Sequence, residues 1–254
     1  MKILGSDFDG TLNHNGIDDA KIQAIGRWRS EGNIFAIVSG RSIDDLLRIY
    51  NGNLFECDYL IGSNGAVIAK VDGTVISSIQ CDGSIAAPLL NHLLKNGCSY
   101  AYVTTNFACE IYADKGDCDR NGKYTFDTLP EISYFNQISA KCSDNKTAEE
   151  ITESVRECFG DALNPLKNGA FVDIVRADIN KANGLYILMN LLGAKYEDVT
   201  VVGDNVNDKD MIEEFNSYAM ENGVDTIKKL ADHITPGVAE LIEKELSETS
   251  SYLV

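Results

Sequence analysis

The sequence contains no run of about 18 apolar residues, the length that a membrane-spanning helix requires. Basic residues are also scarce: 22 Lys and Arg stand against 39 Asp and Glu, and the net charge is −17 at pH 7. Neither a basic run nor a basic stripe is present. Since nucleic acids and anionic membranes attract basic surfaces, we expect neither as a partner. An anionic substrate would instead need a metal ion and a few placed cations within its own site.

Cysteine pairs at metal-binding or redox spacing are absent as well. Seven cysteines stand at positions 57, 81, 98, 109, 118, 142 and 158, and no two of them form a Cys-x-x-Cys pair. The odd number and the spacing fit neither a zinc site nor a disulfide framework. Free thiols in a reducing cytoplasm are the simplest interpretation. The first residues lead into a predicted strand without the apolar region of a signal peptide, which also favours a cytoplasmic location.

Two aspartates one residue apart follow the first predicted strand, in the stretch Ser6-Asp7-Phe8-Asp9-Gly10-Thr11-Leu12. In an extended chain Asp7 and Asp9 would point to the same face, because side chains alternate with period two. Two neighbouring anions repel each other, so they favour a shared proton or a cation between them. A hard divalent ion such as Mg2+ suits carboxylate and carbonyl oxygens. On these residues alone, an Asx-type turn after an edge strand is the alternative.

Strands and helices alternate over residues 1–65 and again from about residue 179. Asp18 is the predicted N-cap of a first helix that ends near Gly32, and Ser42 begins a second helix. Three further apolar segments are predicted as buried strands: 33–38, 59–61 and 199–202. This alternation predicts an α/β fold with a doubly wound, mostly parallel, Rossmann-like sheet and right-handed crossovers.

The pattern changes in the middle of the chain. A hairpin is predicted around Asp72-Gly73, which two β-rich segments flank. Helices and antiparallel strands are then predicted at 85–94, 100–104, 109–112, 148–158 and 171–175. Such a mixture is typical of a separate α+β module. We therefore expect a catalytic core, residues 1–81 and 179–254, interrupted by an inserted α+β domain, residues 82–178.

Each polar cluster of the predicted core follows a strand at its carboxyl end. The clusters are Asp7/Asp9, Ser39-Gly40-Arg41, Asn64-Gly65 and Asp204/Asn207/Asp208. Ligands bind along this edge in open α/β sheets, so we expect the clusters to converge. Their convergence favours a shared site over a simple turn at the first aspartates.

These motifs resemble those of the haloacid dehalogenase superfamily, and within it those of the Cof-type (subclass IIB) phosphatases. In that group a large α/β cap domain is inserted between the second and third motifs. Asp7-Phe8-Asp9-Gly10-Thr11-Leu12 matches the first motif, and Gly203-Asp204-Asn205-Val206-Asn207-Asp208 matches the acidic fourth. Ser39 and Lys181 stand where the second and third motifs are expected. The resemblance covers essentially the whole chain.

The resemblance implies a Mg2+-dependent phosphatase that hydrolyses a small phosphorylated metabolite, such as a sugar phosphate, through an aspartyl-phosphate intermediate. Asp7 would be the nucleophile, and Asp9 would be the general acid and base. The carboxylates of Asp7 and Asp204 and the main-chain carbonyl of Asp9 would hold Mg2+. The inserted domain would close over the site and select the leaving group.

The remaining site residues would bind phosphate or support the metal ligands. Ser39, Gly40 and Lys181 would bind the phosphoryl oxygens, and Asn207 and Asp208 would orient the metal ligands or bind the metal. Each role has a simpler alternative. Ser39 could cap its own turn, Lys181 could be a solvated lysine in the first turn of a helix, and Asp208 could only cap a helix.

Two other functions share this set of motifs. A phosphosugar mutase or other phosphotransferase would form the same aspartyl-phosphate and pass the phosphoryl group to a second hydroxyl. A receiver-like signalling module also has an acidic pocket with a phosphoryl-accepting Asp, a Ser or Thr and a Lys. The inserted domain and the Asp-x-Asp arrangement argue against the signalling module, because a long-lived phosphoaspartate needs no adjacent acid and base.

Overall fold

In a computed structural model, the fold is described for residues 1–52, 55–106, 108–113 and 131–251. The strands in chain order are β1 (Ile3–Ser6), β2 (Ile34–Val38), β3 (Tyr59–Gly62), β4 (Val67–Lys70), β5 (Val75–Ser78), β6 (Cys81–Asp82), β7 (Cys98–Thr105), β8 (Ala108–Ala113), β9 (Tyr134–Phe135), β10 (Gln137–Cys142), β11 (Leu163–Asn168), β12 (Phe171–Arg176), β13 (Val199–Gly203), β14 (Asn216–Met220) and β15 (His233–Thr235). The helices are α1 (Asp19–Ser30), α2 (Ile43–Asn51), α3 (Ala86–Lys95), α4 (Asn145–Phe159), α5 (Lys181–Leu192), α6 (Lys209–Glu214), α7 (Asp225–Leu230) and α8 (Val238–Ser251).

Within the described residues, the large sheet has eight strands in the order β15-β14-β13-β1-β2-β3-β4-β5. All pairs from β15 to β3 are parallel, and β4 and β5 add an antiparallel hairpin at one edge. The predicted doubly wound, mostly parallel sheet is therefore confirmed. Asp72-Gly73 joins β4 to β5, where the Thr74 N–H donates to Asp72 Oδ1 at 2.8 Å.

Helices cover both faces of the large sheet. Ile3 and Leu4 of β1 are consecutive, so they point to opposite faces. Leu4 packs in a buried cluster with Trp28 of α1, whereas Ile3 packs with Leu185 of α5. Each of these apolar side chains is fully or almost fully buried, which stabilises the fold by about 1.5–3 kcal/mol per side chain. Two apolar faces on one strand explain why β1 has no alternating polar positions.

Over the part of the chain that the structure describes, the small sheet has five strands in the order β11-β12-β10-β7-β8, and all of these pairs are antiparallel. Helices α3 and α4 bury apolar residues such as Leu89 and Ile151 against it. The sequence pattern did not predict β10 or β11. Pro165 lies in β11, which is possible because this strand is at the edge of the sheet and its proline need not donate a ladder hydrogen bond.

Predicted helix starts are confirmed at several positions. Asp18 caps α1 by accepting from the Lys21 N–H at 3.0 Å, and Ser42 caps α2 by accepting from the Asp45 N–H at 3.2 Å. Lys181 is the first residue of α5, as predicted. The described cysteine side chains are free thiols, at 57, 81, 98, 142 and 158. The predicted polar connection after β8 and Cys118 lie outside the described residues.

None of the described helices combines the length and the apolar character needed to cross a bilayer.

Helix α5 approaches the turn after β3 closely because two glycines face each other. A Cβ on Gly184 would lie 2.7 Å from Ile61 Cγ2 and 2.8 Å from the Gly65 Cα. Gly65 has φ +102°, and a Cβ there would lie 2.1 Å from the Asn180 carbonyl oxygen. The contact therefore requires glycine on both sides. It fixes the first turn of α5, which carries Lys181, beside the carboxyl ends of the strands.

We expect Gly184→Ala to destabilise the protein, because the added methyl group must push α5 away from β3. Overpacking of this kind costs about 1–3 kcal/mol. Gly26→Ala in α1 is a matched control, since its Cβ would meet nothing within 4 Å and should stabilise the helix by up to about 1 kcal/mol. Urea unfolding of both variants measures the effect. Equal stability of Gly184→Ala and wild type would contradict the close contact.

Candidate active site

A cleft of about 250 Å³ lies at the carboxyl ends of β1, β2 and β13 and faces the small sheet. The large sheet contributes several of the residues selected from the sequence: Asp7, Asp9, Ser39, Gly40, Arg41 and Asn207. The small sheet contributes polar and aromatic side chains: Tyr102, Thr104, Gln137, Ser139, Asn168, Phe171 and Asp173. The polar clusters that follow the parallel strands thus meet at one place.

The first motif forms a tight turn directly after β1. The Asp7 N–H donates to the Val202 carbonyl of β13 at 3.0 Å, which continues the sheet by one residue. Gly10 then has φ +88°, and a Cβ there would lie 2.5 Å from Asp204 Oδ2. Thr11 Oγ1 donates to Asp204 Oδ1 at 2.8 Å. Gly10 and Thr11 therefore hold the fourth-motif aspartate beside the first motif.

Three carboxylates meet beneath this turn. One oxygen each from Asp7, Asp204 and Asp208 lie within 4.8 Å of one another. Asp7 and Asp208 are buried, and Asp204 is half-buried. Anions at this spacing repel strongly unless a cation or a proton lies among them.

The Lys181 ammonium is the cation that the chain itself places at these carboxylates. Its side chain is fully buried, and Nζ donates to Asp7 Oδ1 at 2.7 Å and to Asp208 Oδ1 at 2.5 Å. The alternative of a solvated lysine is therefore wrong. Asp208 Oδ2 accepts from the N–H groups of Asp204 and Asn205 at 2.9 and 3.0 Å. Asp208 thus anchors Lys181 and also caps the turn that carries Asp204.

The electrostatics of the site favour an additional cation. Burial raises the pKa of the Asp7 carboxyl to about 8, although Lys181 opposes this shift. Burial also raises the pKa of Asp204, and the nearby Asp208 acts in the same direction. For Lys181, burial alone would lower the pKa, but Asp208 and Asp7 together raise it above its usual value. One ammonium faces three carboxylates, so the donor set fits a hard divalent ion such as Mg2+.

Asp9 has a different environment from Asp7. Its carboxylate is about half exposed and receives two hydrogen bonds from Arg41, from Nε at 2.6 Å and from Nη2 at 2.8 Å. β1 ends at Ser6 and the chain turns over Phe8–Leu12, so the two aspartates do not lie on one continuous strand. Both aspartates still line the cleft, with Arg41 as the ion-pair partner of the second.

Ser39 and Gly40 form a turn that packs on the turn after β3. The Ser39 N–H donates to the Ile61 carbonyl at 2.8 Å, and the Asn64 N–H donates to the Ser39 carbonyl at 3.0 Å. Ser39 Oγ accepts from the Arg41 N–H at 3.2 Å, which is the turn cap considered as the simpler alternative. The same hydroxyl also lines the cleft, so capping and ligand contact are compatible.

Sequence reasoning missed the cleft residues of the small sheet. Gln137, Ser139 and Asp173 lie on β10 and β12, and Asn64 reaches two of them from the turn after β3. Asp173 did leave a signal, because it is a carboxylate within the apolar run 171–175 of β12 and is buried. Gln137 left none, since β10 itself was not predicted.

A family model for haloacid dehalogenase-like hydrolases matches residues 4–240 of the chain. Among curated proteins, one similar protein is the 5-amino-6-(5-phospho-D-ribitylamino)uracil phosphatase YbjI of Escherichia coli. The two are 23% identical over an alignment of 280 residues, gaps included, that covers 99% of this chain and 98% of that protein. The phosphatase of the same description from Bacillus subtilis, YcsE, is 26% identical over 251 residues and covers 95% and 94% of the two chains.

Solved structures share the fold over almost the whole chain. A haloacid dehalogenase-like hydrolase from Bacillus subtilis superposes with a TM-score of 0.81 at 21% identity, covering 96% of this chain and 99% of that one. The subclass IIB sugar phosphatase BT4131 superposes with a TM-score of 0.77 at 19% identity, covering 96% and 98%.

We expect the stability of the metal-free protein to depend on Asp7. Burial raises the Asp7 pKa from 3.8 to about 8 in the folded protein. The folded state therefore binds a proton more tightly than the unfolded chain, and this contribution to stability is lost as the pH rises from about 4 to about 8.

Urea unfolding in EDTA measures this loss in the wild type and in Asp7→Asn, which cannot titrate at this position. The free energy of unfolding should fall with pH more steeply for the wild type, by about 1 kcal/mol per pH unit relative to the variant. Parallel curves for the two proteins would contradict the raised pKa.

Proposed function

The chain belongs to the haloacid dehalogenase-like hydrolases, and from this membership we propose that it is a Mg2+-dependent phosphatase. Its substrate would be a small phosphomonoester, such as a phosphorylated sugar or a related cytoplasmic metabolite, and the reaction would pass through an aspartyl-phosphate. The observation that carries the proposal is the buried Asp7 carboxylate, which lines the cleft, accepts a hydrogen bond from Lys181 and lies beside two further carboxylates. Residues 1–81 and 179–254 would be the catalytic core, and residues 82–178 the cap.

The metal would be held by the carboxylates of Asp7 and Asp204 and by the main-chain carbonyl of Asp9. Bound Mg2+ would supply the positive charge that lets an anionic substrate approach an anionic nucleophile. Asp208 has both oxygens engaged by Lys181 and backbone N–H groups, so its proposed role is to orient the site. Asn207 belongs to the same motif as Asp204 and lines the cleft. It would orient the metal ligands without binding the metal itself.

In the first half-reaction, a carboxylate oxygen of Asp7 would form a bond to phosphorus while the ester P–O bond breaks. Asp9 would donate a proton to the leaving oxygen, and the paired Arg41 would keep its carboxyl group at the cleft. Lys181 would stabilise the negative charge of the transferring group, together with the Ser39 hydroxyl and the Gly40 amide.

In the second half-reaction, water would attack the phosphorus of the aspartyl-phosphate. Asp9 would take a proton from that water as the bond between phosphorus and the Asp7 oxygen breaks. The products would be inorganic phosphate and the regenerated Asp7 carboxylate. Passing the phosphoryl group to a second sugar hydroxyl is the alternative, and it would use the same residues.

The lining of the cleft supports a hydroxyl-rich leaving group. Thr104, Ser139 and Asn168 supply hydroxyl and amide groups, and Tyr102 and Phe171 supply aromatic surface. A few polar groups among aromatic walls suit a small polyhydroxylated molecule. The names of the relatives agree with this choice, because YbjI and YcsE are described as acting on a phosphoribityl compound and BT4131 as a sugar phosphatase.

We expect Asp7→Asn to lower the turnover of para-nitrophenyl phosphate in Mg2+ by at least about 10³-fold, because the amide cannot act as the nucleophile. Phosphate release is the measurement, and circular dichroism verifies the fold. Asp44→Asn is the matched control, since Asp44 pairs with Arg48 on α2 outside the cleft. Substantial remaining activity in Asp7→Asn would overturn the mechanism.

Asp9→Asn tests the proton transfer through the choice of leaving group. Nitrophenolate leaves without a proton, whereas a sugar alkoxide needs one, so the variant should lose more activity on a hexose phosphate than on para-nitrophenyl phosphate. The loss on the sugar phosphate should reach about 10²–10⁴-fold. The losses are compared by kcat/KM, which reports the steps up to formation of the aspartyl-phosphate, and equal losses on both substrates would show that Asp9 is not the general acid.

Product analysis separates hydrolysis from phosphoryl transfer. Incubation of the wild-type protein with a sugar monophosphate or bisphosphate should release free phosphate. An isomerised sugar phosphate without phosphate release would favour the mutase.

A further inference from the structure

Gln137, the first residue of β10 in the small sheet, hydrogen-bonds to the backbone of the Ser39–Arg41 turn in the large sheet. Its Nε2 donates to the Gly40 carbonyl oxygen at 2.8 Å. The side chain is 2% exposed, yet it lines the cleft between the two sheets. The inserted segment thus hydrogen-bonds to the proposed phosphate-binding turn at the Gly40 carbonyl oxygen.

That contact reaches Ser39 through a single peptide unit. The Gly40 carbonyl and the Arg41 N–H belong to the same planar trans peptide, so they point in opposite directions. The Arg41 N–H donates to Ser39 Oγ at 3.2 Å. When Gln137 holds the carbonyl, the peptide plane is fixed, and the N–H that orients the Ser39 hydroxyl is fixed with it.

The Gln137 amide is itself held in one orientation. Its Oε1 accepts from Asn64 Nδ2 at 2.9 Å, and its Nε2 also donates to Ser139 Oγ at 2.8 Å. Asn64 Nδ2 donates in addition to Asp173 Oδ2 at 3.2 Å. Because the oxygen and the nitrogen of this buried amide are both hydrogen-bonded, the side chain is held in one rotamer. It can therefore hold the Gly40 carbonyl in a fixed position.

The close approach of the two sheets depends on the absence of a side chain at Gly40. A Cβ at this position would lie 2.9 Å from Asp173 Oδ2 and 3.1 Å from Asn64 Nδ2. A side chain at position 40 would therefore have to displace the Asp173 carboxylate and the Asn64 amide, both of which belong to the hydrogen-bond network around Gln137. The geometry indicates a specific contact rather than incidental packing.

We propose that Gln137 is a positioning residue that orients the Ser39 hydroxyl through the Gly40–Arg41 peptide. The phosphate-binding turn is then complete only when the small sheet is seated on the large one. This inference rests on the proposed phosphatase function, because it assigns Gln137 a role in binding the phosphoryl group. It also makes phosphate binding and seating of the small sheet favour each other.

Gln137→Met tests the proposal, because methionine has a similar length and volume but no N–H donor. We expect kcat/KM for para-nitrophenyl phosphate to fall between about 10-fold and about 100-fold, as for other misplaced catalytic groups. The inhibition constant of inorganic phosphate should rise, since Ser39 no longer points at the phosphoryl site. A purely structural role would lower the melting temperature and leave this inhibition constant unchanged.

Ser78→Ala is the matched control. Ser78 Oγ of β5 accepts from Asn136 Nδ2 at 3.1 Å and donates to Asn106 Oδ1 at 2.5 Å, so it also ties the large sheet to the inserted segment, and none of these three residues lines the cleft. The control should keep kcat/KM and the phosphate inhibition constant within about two-fold of wild type. If Gln137→Met fails to fold, Gln137→Asn keeps the amide group and shortens its reach by one methylene.

Amide hydrogen exchange at Arg41, measured without substrate, gives a second readout. Exchange should be faster in Gln137→Met than in the wild type and in Ser78→Ala. Unchanged Arg41 exchange, or an unchanged phosphate inhibition constant in an active variant, would overturn the proposal. A wild-type protein without phosphatase activity would refute the proposed function instead, and the exchange comparison would still decide whether Gln137 fixes the turn.

Discussion

The buried Lys181 ammonium, shared between Asp7 and Asp208, is the interaction on which the site depends. It joins the end of β1, the start of α5 and the turn after β13, which are far apart in sequence. Removing the Lys181 ammonium would leave two buried carboxylates without their cation, which costs several kcal/mol. The pairing also leaves an excess of negative charge, because Asp204 has no cation of its own among the described residues. The same arrangement therefore stabilises the fold and creates a place for a divalent ion.

The position of Lys181 depends on the packing of α5 against the turn after β3 as well as on charge. Gly65 and Gly184 allow α5 to approach the turn after β3, and this contact places the first turn of the helix under the strand ends. Asn180 caps the helix by accepting from the Asn183 N–H at 2.9 Å, so the lysine begins a well-formed turn. Asp208 then completes the arrangement by accepting from both the ammonium and the backbone of the fourth motif. Contacts of the backbone thus bring the Lys181 ammonium to the carboxylates of the site.

Most of the large sheet could be predicted from the sequence, because parallel strands bring their carboxyl ends to one edge and the polar residues there must meet. Asp7 and Asp204 were selected on this argument, whereas Lys181 was selected from the resemblance to the third motif of the family. The pairing of Arg41 with Asp9 was not predictable, because a contact between two turns leaves no pattern in either segment. Gln137 was also missed, because the docking of an inserted antiparallel sheet leaves no periodic signal in either segment. Local sequence patterns predict individual helices and strands. Contacts between segments that are far apart in the sequence become visible only in the structure.

The missing side chain at Gly40 has a consequence for how this sequence can vary. A Cβ at position 40 would lie 2.9 Å from Asp173 Oδ2, so a methyl group there would have to displace this carboxylate. The displaced carboxylate would lose its hydrogen bond from Asn64 Nδ2, which is now 3.2 Å long. Positions 40 and 173, on different sheets, therefore limit each other's side chains, so we expect a larger residue at one to accompany a smaller residue at the other.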